Sequence, residues 1–394
     1  MKKIGVLFGM ENTFPGALVE RINSMELDDI RAEFVQVGGV KEADPSGYAV
    51  IVDRISHDMP FYRAYLKNAA LTGTQIINNP FWWSADDKFF NYSLAKMLGV
   101  AVPRTVLLPH KLFPPEINVQ SVRNLEFPLN WEAIFDYVKF PAFLKPHDGG
   151  GWRDVHHVHN PDEFFRAYDS TRDLCMTLQA AVNFNEYFRC YVVGQKDVHI
   201  MPYDPRRPHH ERYVLDPPEY PKELLARVEK DARTLCQALG YDLNTVEFAV
   251  EDGVPYAIDF MNPAPDADVH SVGQKNFDWI VDKVANLAVE KAKLAGAPPK
   301  ELKWSSFLGG WETGGKKAAA KKTPGSTTRA AIAKNASEKR EVKTMAKKVK
   351  GAEAKSQERD EPDMVKAHAE NLKAANVKGA QIETRRAQLP PNKR

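Results

Sequence analysis

Pro141-Ala142-Phe143-Leu144-Lys145-Pro146-His147-Asp148-Gly149-Gly150-Gly151-Trp152-Arg153-Asp154 joins a short strand, with a lysine near its end, to a glycine-rich turn. Three consecutive glycines let backbone N–H groups approach phosphate oxygens, because no Cβ stands in the way. Lys145 adds a point charge beside them. The spacing is not that of a Walker loop, where Gly-Lys-Ser/Thr opens a helix; here the lysine precedes the glycines and a second strand, Val155–Val158, follows. Taken alone, the run also reads as a flexible hairpin beside a lysine that snorkels to water.

Toward the C-terminus, Pro161–Ala167 starts a helix with an acidic first turn, and strands are expected at Cys175–Val182 and Phe188–Val193. A polar, proline-rich loop spans Tyr203–Glu211, Pro221–Leu239 is a helix, and Asn276–Leu294 is a closing helix. Between these helices, Thr245–Val250 and Pro255–Phe260 form a hairpin through Glu251-Asp252-Gly253, where Asp-Gly is a strong turn signal. Glu247 sits inside the first strand of that hairpin and Asp259 near the end of the second. For an isolated strand acid an edge salt bridge is the ordinary role. A phosphate-cradling loop in the same chain favours another: two hard oxygen ligands on one site, with Asn262 nearby, as Mg²⁺ with bound phosphates requires.

Toward the N-terminus, Lys3–Phe8, Glu33–Val37, Ala49–Val52 and Gln75–Ile77 read as strands, with helices near Pro15–Ser24 and Pro60–Leu71. Such alternation implies an α/β domain with a parallel sheet covered on both faces. The turn Phe8-Gly9-Met10-Glu11-Asn12 lacks a second glycine, so no dinucleotide fingerprint is present. A helix over Ser84–Leu98 stops at Gly99, and residues 110–130 read as a loop-dominated insertion.

In this order, the pieces resemble the ATP-grasp superfamily, the fold of D-alanine–D-alanine ligase and glutathione synthetase, over roughly residues 1–300. Asp87-Lys88 and Gly99…Pro103-Arg104-Thr105 look like the first nucleotide lysine and the exit from its helix. Phe143-Leu144-Lys145-Pro146 with Gly149, Gly150 and Gly151 looks like the second lysine and the phosphate-covering loop. Leu178-Gln179-Ala180-Ala181-Val182 with Glu186 is similar to the adenine hinge and the ribose-binding acid. Glu247, Asp259 and Asn262 match the metal ligands in type and order. The resemblance implies a Rossmann-like pre-ATP-grasp domain (1–80), a two-lobed α+β ATP-grasp domain (81–178 and 179–310) and a disordered basic tail (311–394). It further implies ATP and Mg²⁺ (or Mn²⁺) as cofactors. The reaction expected is a carboxylate–amine (or thiol) ligation through an acylphosphate, with small-molecule carboxylate and amine substrates. A small-molecule kinase and a nucleotide-binding scaffold are the alternatives.

Three features depart from the family pattern. Asp259 and Asn262 are separated by two residues instead of one, so period-2 alternation aims them at opposite faces unless a bulge intervenes. The Arg-x-Asn and glycine-rich segment of the amino-acid-adding ligases is replaced by Asp204-Pro205-Arg206-Arg207-Pro208-His209-His210-Glu211-Arg212-Tyr213. Arg189 and Arg212 are candidates to clamp a phosphoryl group or a substrate carboxylate; surface ion pairing is the alternative. The resemblance does not account for the basic tail.

Charge separates that tail from the rest. Residues 316–394 carry 21 Lys/Arg against 9 Asp/Glu, a net +12, which leaves 33 basic and 43 acidic residues, a net −10, in residues 1–315. All 40 aromatic residues lie at or before Trp311, so the tail cannot bury enough apolar surface to fold alone. Non-specific binding to a polyanion and a merely solubilising role both fit it. Nucleic-acid recognition by the acidic body is disfavoured. No run reaches the ~18 apolar residues of a membrane span, and the apolar start breaks off at Met10-Glu11-Asn12, before a secretory core would end. Three unpatterned cysteines argue against a disulfide framework, which makes the cytoplasm the expected compartment. His156-His157-Val158-His159 reads as a polar strand in preference to a metal site, and Trp82-Trp83 as interdomain packing in preference to a stacking platform.

Overall fold

The short apolar runs of the first eighty residues form a parallel sheet because helices cover both of its faces. The computed structural model describes residues 1–81, 87–214, 216–260 and 262–295. Its first sheet comprises β1 (Lys2–Leu7), β2 (Ile30–Phe34), β3 (Val50–Asp53) and β4 (Gln75–Ile77), all parallel, in the order β2-β1-β3-β4. Ile4, Val6, Val50 and Val52 point toward α1 (Phe14–Asn23), while Leu7 and Ile51 point toward α2 (Pro60–Leu71). At Gly5 a Cβ would come within 2.5 Å of Val35 and 2.9 Å of Tyr48, so that position takes no side chain. The second strand lies earlier than the expected Glu33–Val37. Ile30 and Ala32 alternate with exposed positions as a half-buried edge strand does, and the more apolar residues after them fall beyond its end.

The next sheet is antiparallel. After α3 (Lys88–Met97) come β5 (Thr105–Leu108), α4 (Trp131–Val138), β6 (Ala142–Pro146), β7 (His156–Val158), α5 (Pro161–Ser170) and β8 (Met176–Ala180), with strand order β5-β8-β6-β7. Trp131, Phe135, Phe164 and Tyr168 of α4 and α5 pack together over Leu108, Leu144 and Leu178. The expected start of α3 at Ser84, like Trp82-Trp83, lies outside the described residues, as does everything after Ala295, including the expected tail.

The third sheet, also antiparallel, has the order β10-β9-β11-β12. Its elements are β9 (Glu186–Val193), β10 (Asp197–Pro202), α6 (Lys222–Leu239), β11 (Leu243–Glu251) and β12 (Val254–Asp259), followed by α7 (Val269–Val272) and α8 (Gln274–Leu294). Val228, Ala232, Leu235 and Cys236, spaced at three and four along α6, cover the face bearing Phe188, Cys190, Val246 and Phe248. Ile280, Val284 and Ala288 of α8 cover the opposite face and also pack against the first sheet. The shared helix joins the two sheets, and Arg21 of α1 donates to Asp282 of α8 at 2.6 Å. Sequence reading passed over β10, an edge strand bonded to β9 alone, and α4, a short helix capped by Asn130.

Candidate active site

Lys145 and Phe143 share a face of β6, and their cross-strand neighbours on β8 are Thr177 and Gln179. The Lys145 ammonium donates to Gln179 Oε1 at 2.8 Å and to Tyr92 Oη at 2.8 Å. Gln179 Nε2 in turn donates to Thr105 Oγ1 at 2.9 Å. Desolvation of the ammonium lowers the Lys145 pKa to about 8, although Asp259 and Glu247 pull it upward. With one bond at each end of its amide, the Gln179 side chain links Lys145 to Thr105. The glycine turn that follows is exposed; Gly149 and Gly151 adopt φ +74° and +71°, and a Cβ at either would meet nothing within 4 Å. Glycine is required there by the backbone angle, not by crowding.

Lys88 reaches the same place from α3. Asp87 caps the helix by accepting from the Phe90 N–H at 2.9 Å, and the Lys88 N–H donates to the His147 carbonyl at 2.7 Å. This bond fixes the start of α3 two residues beyond Lys145. The Lys88 ammonium lies 3.6 Å from Asp259 Oδ1. Tyr92, one turn along the same helix face, carries the hydroxyl that accepts from Lys145.

On the third sheet Arg189, Glu247 and Asp259 are direct neighbours across β9, β11 and β12. The register shifts between Glu247 and Phe248: Phe248 pairs with Ala257 and Glu247 with Asp259, which leaves Ile258 as the extra residue of a β-bulge. Without the bulge Glu247 would face Ile258, and the two carboxylates would lie on opposite faces. Asn262 is brought in by its backbone, whose N–H donates to Asn244 Oδ1 at 2.7 Å and whose carbonyl accepts from the Thr245 N–H at 3.3 Å. With its amide oxygen turned to the guanidinium, Asn262 accepts from Arg189 Nη2 at 3.2 Å and donates to the Ala264 carbonyl at 3.2 Å. The unusual spacing therefore does not separate Asn262 from Glu247; Arg189 bridges them.

Glu247 accepts from the Tyr187 hydroxyl at 2.6 Å and lies 3.4 Å from Arg189 Nε. Burial raises its pKa and Arg189 opposes that rise. Arg189 donates to the Tyr213 hydroxyl at 3.0 Å, and its guanidinium lies 5.5 Å from the Tyr203 ring centroid. Glu247, Asp259 and the Asn262 amide offer hard oxygen donors of the kind Mg²⁺ takes, with the Asn262 oxygen turned to Arg189 Nη2. Lys88 pairs with Asp259 and Arg189 with Glu247. Among the described residues no group of three or more His, Cys, Asp or Glu is placed to hold a metal; the set here is two carboxylates and an amide.

Three other expected residues stand apart from this cluster. Arg212 is half-buried and donates to the Arg207 carbonyl at 3.1 Å; the member of that loop in the cluster is its neighbour Tyr213. Glu186 lies, by strand alternation, on the Phe188 face of β9, opposite Arg189; burial, and after it the Glu186 charge, raises the Tyr220 pKa. Val182 packs against the core shared by the first and third sheets. Tyr92, Tyr187 and Tyr213 were not legible in the sequence, because nothing local distinguishes them from core tyrosines.

The first sheet adds a cleft of about 380 Å³ lined by Glu11, Thr13, Arg54, His57 and Asp266 among others. It opens at the carboxyl ends of β1 and β3, where the strand order reverses direction, the usual ligand position in open parallel sheets. Arg54 is 3 % exposed, makes a bidentate pair with Glu11 and lies 4.8 Å from the Phe14 ring centroid. Its Nη1 has no hydrogen-bond partner.

No protein-family profile and no curated protein matches the chain. Solved structures do. D-alanine–D-alanine ligase from Bacillus anthracis, complexed with ATP, superposes with a TM-score of 0.53 at 17 % identity, covering 75 % of this chain and 98 % of that one. The VanG D-Ala:D-Ser ligase from Enterococcus faecalis gives 0.53 at 16 %, covering 74 % and 99 %. A RimK-domain ATP-grasp protein from Sphaerobacter thermophilus gives 0.51 at 15 %, covering 73 % and 99 %. At such identities the likeness is one of fold: the chain has the ATP-grasp fold.

Proposed function

We propose that the protein is an ATP-dependent ligase that joins a carboxylate to an amine through an acylphosphate. The observation that carries this reading is the convergence of Lys88 and Lys145 with the facing acids Glu247 and Asp259 across two sheets. Positive groups on one side and hard oxygen ligands on the other suit the charge that spreads over a phosphoryl group in transfer. Lys145, Lys88 and the N–H groups of Gly149–Gly151 would hold the phosphates, and the segment after Gln179 would line the base. Glu247, Asp259 and Asn262 would hold Mg²⁺, which supplies charge neutralisation between the phosphates when bound.

In the reaction a substrate carboxylate oxygen attacks the γ-phosphorus, and the bond to the β-phosphate oxygen breaks with release of ADP. The amine then attacks the acyl carbon, phosphate leaves, and the amine loses a proton. No protein nucleophile enters the sequence. Arg189, held by Tyr213 and Asn262, would face the developing negative charge. The cleft beside Arg54 and Glu11 is the place for the substrate that reacts, next to the segment after Asn262.

The test is a single-turnover assay of the full chain with ATP, Mg²⁺ and pools of carboxylates and amines. ADP and a condensed product are expected together, and hydroxylamine in place of the amine should yield a hydroxamate. ADP with a stable phosphorylated product and no condensation would identify a kinase. ATP binding without turnover on any pool would leave a nucleotide-binding scaffold.

A further inference from the structure

Lys145 stands on the second sheet and Asp259 on the third, and one side chain touches both neighbourhoods. Tyr92 is 4 % exposed. Its hydroxyl donates its single proton to the Ile258 carbonyl at 2.5 Å and accepts from the Lys145 ammonium at 2.8 Å. The ring packs edge-on against Phe260 at 5.6 Å between centroids, and the ammonium lies 5.1 Å from the ring centroid. Ile258 is the residue that the β11–β12 ladder leaves without a counterpart, and its insertion sets Asp259 opposite Glu247. The phenol therefore engages the carbonyl of the residue on which the acid pair depends.

We infer that Tyr92 is a positioning residue that ties the phosphate-binding lysine to the carboxylate pair through its hydroxyl. The chain of donors runs one way, from ammonium to phenol to bulge carbonyl, because a lysine ammonium has no lone pair to accept with. Burial keeps the phenol protonated by raising its pKa, so the link persists at neutral pH. A shift of Lys145 on meeting phosphate is thereby transmitted to the strand that carries Asp259. The role deepens the ligase reading and rests on it wherever ATP is the probe.

The test uses the full chain as wild type, Tyr92→Phe, Lys145→Met and the double variant, with ATP affinity measured by calorimetry in the presence of Mg²⁺. Phenylalanine keeps the ring packing and removes only the hydroxyl. Tyr92→Phe should weaken ATP binding about tenfold, the scale of one hydrogen bond to a charged group, and by less than about twofold when Lys145 is already methionine. Equal losses in the two backgrounds would mark a purely structural role and overturn the inference, as would no loss in either. A second arm needs no nucleotide: hydrogen exchange across residues 254–260 should quicken in Tyr92→Phe while α6 is unaffected. Unchanged exchange there overturns the inference whatever ATP does. A wild-type chain that fails to bind ATP removes the nucleotide reading, a different outcome from a Tyr92→Phe variant that binds like wild type.

Discussion

Lys145 is a partly buried cation whose charge works against stability. Its pKa is lowered from 10.5 to about 8 by desolvation. Between those two values the unfolded chain binds a proton that the folded chain does not, so this group's contribution to stability rises with pH across that window. Below about pH 8 the buried charge opposes folding in full. Lys145→Met should therefore leave the melting temperature at pH 7 no lower than wild type, while weakening ATP binding about tenfold or more. Unchanged ATP affinity in that variant would remove Lys145 from the phosphate site. Phosphate oxygens near the ammonium favour its charged form, so ATP binding between pH 8 and 9 should take up a proton. Calorimetry in buffers of different ionisation enthalpy reads that uptake directly. Affinity should fall as pH rises through this range, because the free protein has lost the proton that binding needs.

Two elements carry the site, and each has a weak point that a single change exposes. The first is the start of α3, where the Asp87 cap and the bond from Lys88 N–H to the His147 carbonyl set the Lys88 stem. Asp87→Ala should cost about 1 kcal/mol of stability through the lost cap and should also raise the Kd for ATP, as read by melting and calorimetry on one sample. A stability loss with unchanged nucleotide affinity would confine Asp87 to the helix. The second is the bulged hairpin β11–β12. Glu247→Gln and Asp259→Asn should each reduce ATP turnover by about a hundredfold or more, with a smaller loss of ATP binding, since an ion contributes most as phosphoryl charge redistributes. Normal turnover in Asp259→Asn, with loss in Asn262→Ala, would move the metal site off the hairpin pair. Glu247 and Asp259 were legible as an acid pair from their places in two adjacent strands. Their meeting on one site was expected too, but the bulge at Ile258 that makes them face each other was not, because a one-residue slip reverses the face of a strand and the bulge has no sequence signal of its own.

For the whole molecule, the division of charge makes a prediction that does not involve the site. Deleting residues 316–394 removes a net +12 from a body of net −10. Melting temperature and ATP turnover should be unchanged, and low-salt binding to DNA, RNA or anionic lipid should be lost. Such binding should weaken steeply with salt through counterion release. Loss of folding on deletion, or salt-resistant and sequence-selective binding, would contradict this. The alternation of strands and helices, the glycine turn after Lys145, the two lysines and the order of the acids can all be read along the chain, because each is written in local periodicity or in residues a few positions apart. That Gln179 accepts from Lys145, and that Tyr213 and not Arg212 meets Arg189, came only with the folded arrangement. It likewise placed Glu186 on the far face of β9 and joined Lys145 to the bulge through Tyr92. Those relations span sheets, and they depend on strand register and on which polar atoms burial leaves in need of partners, neither of which is expressed within any single stretch of the chain.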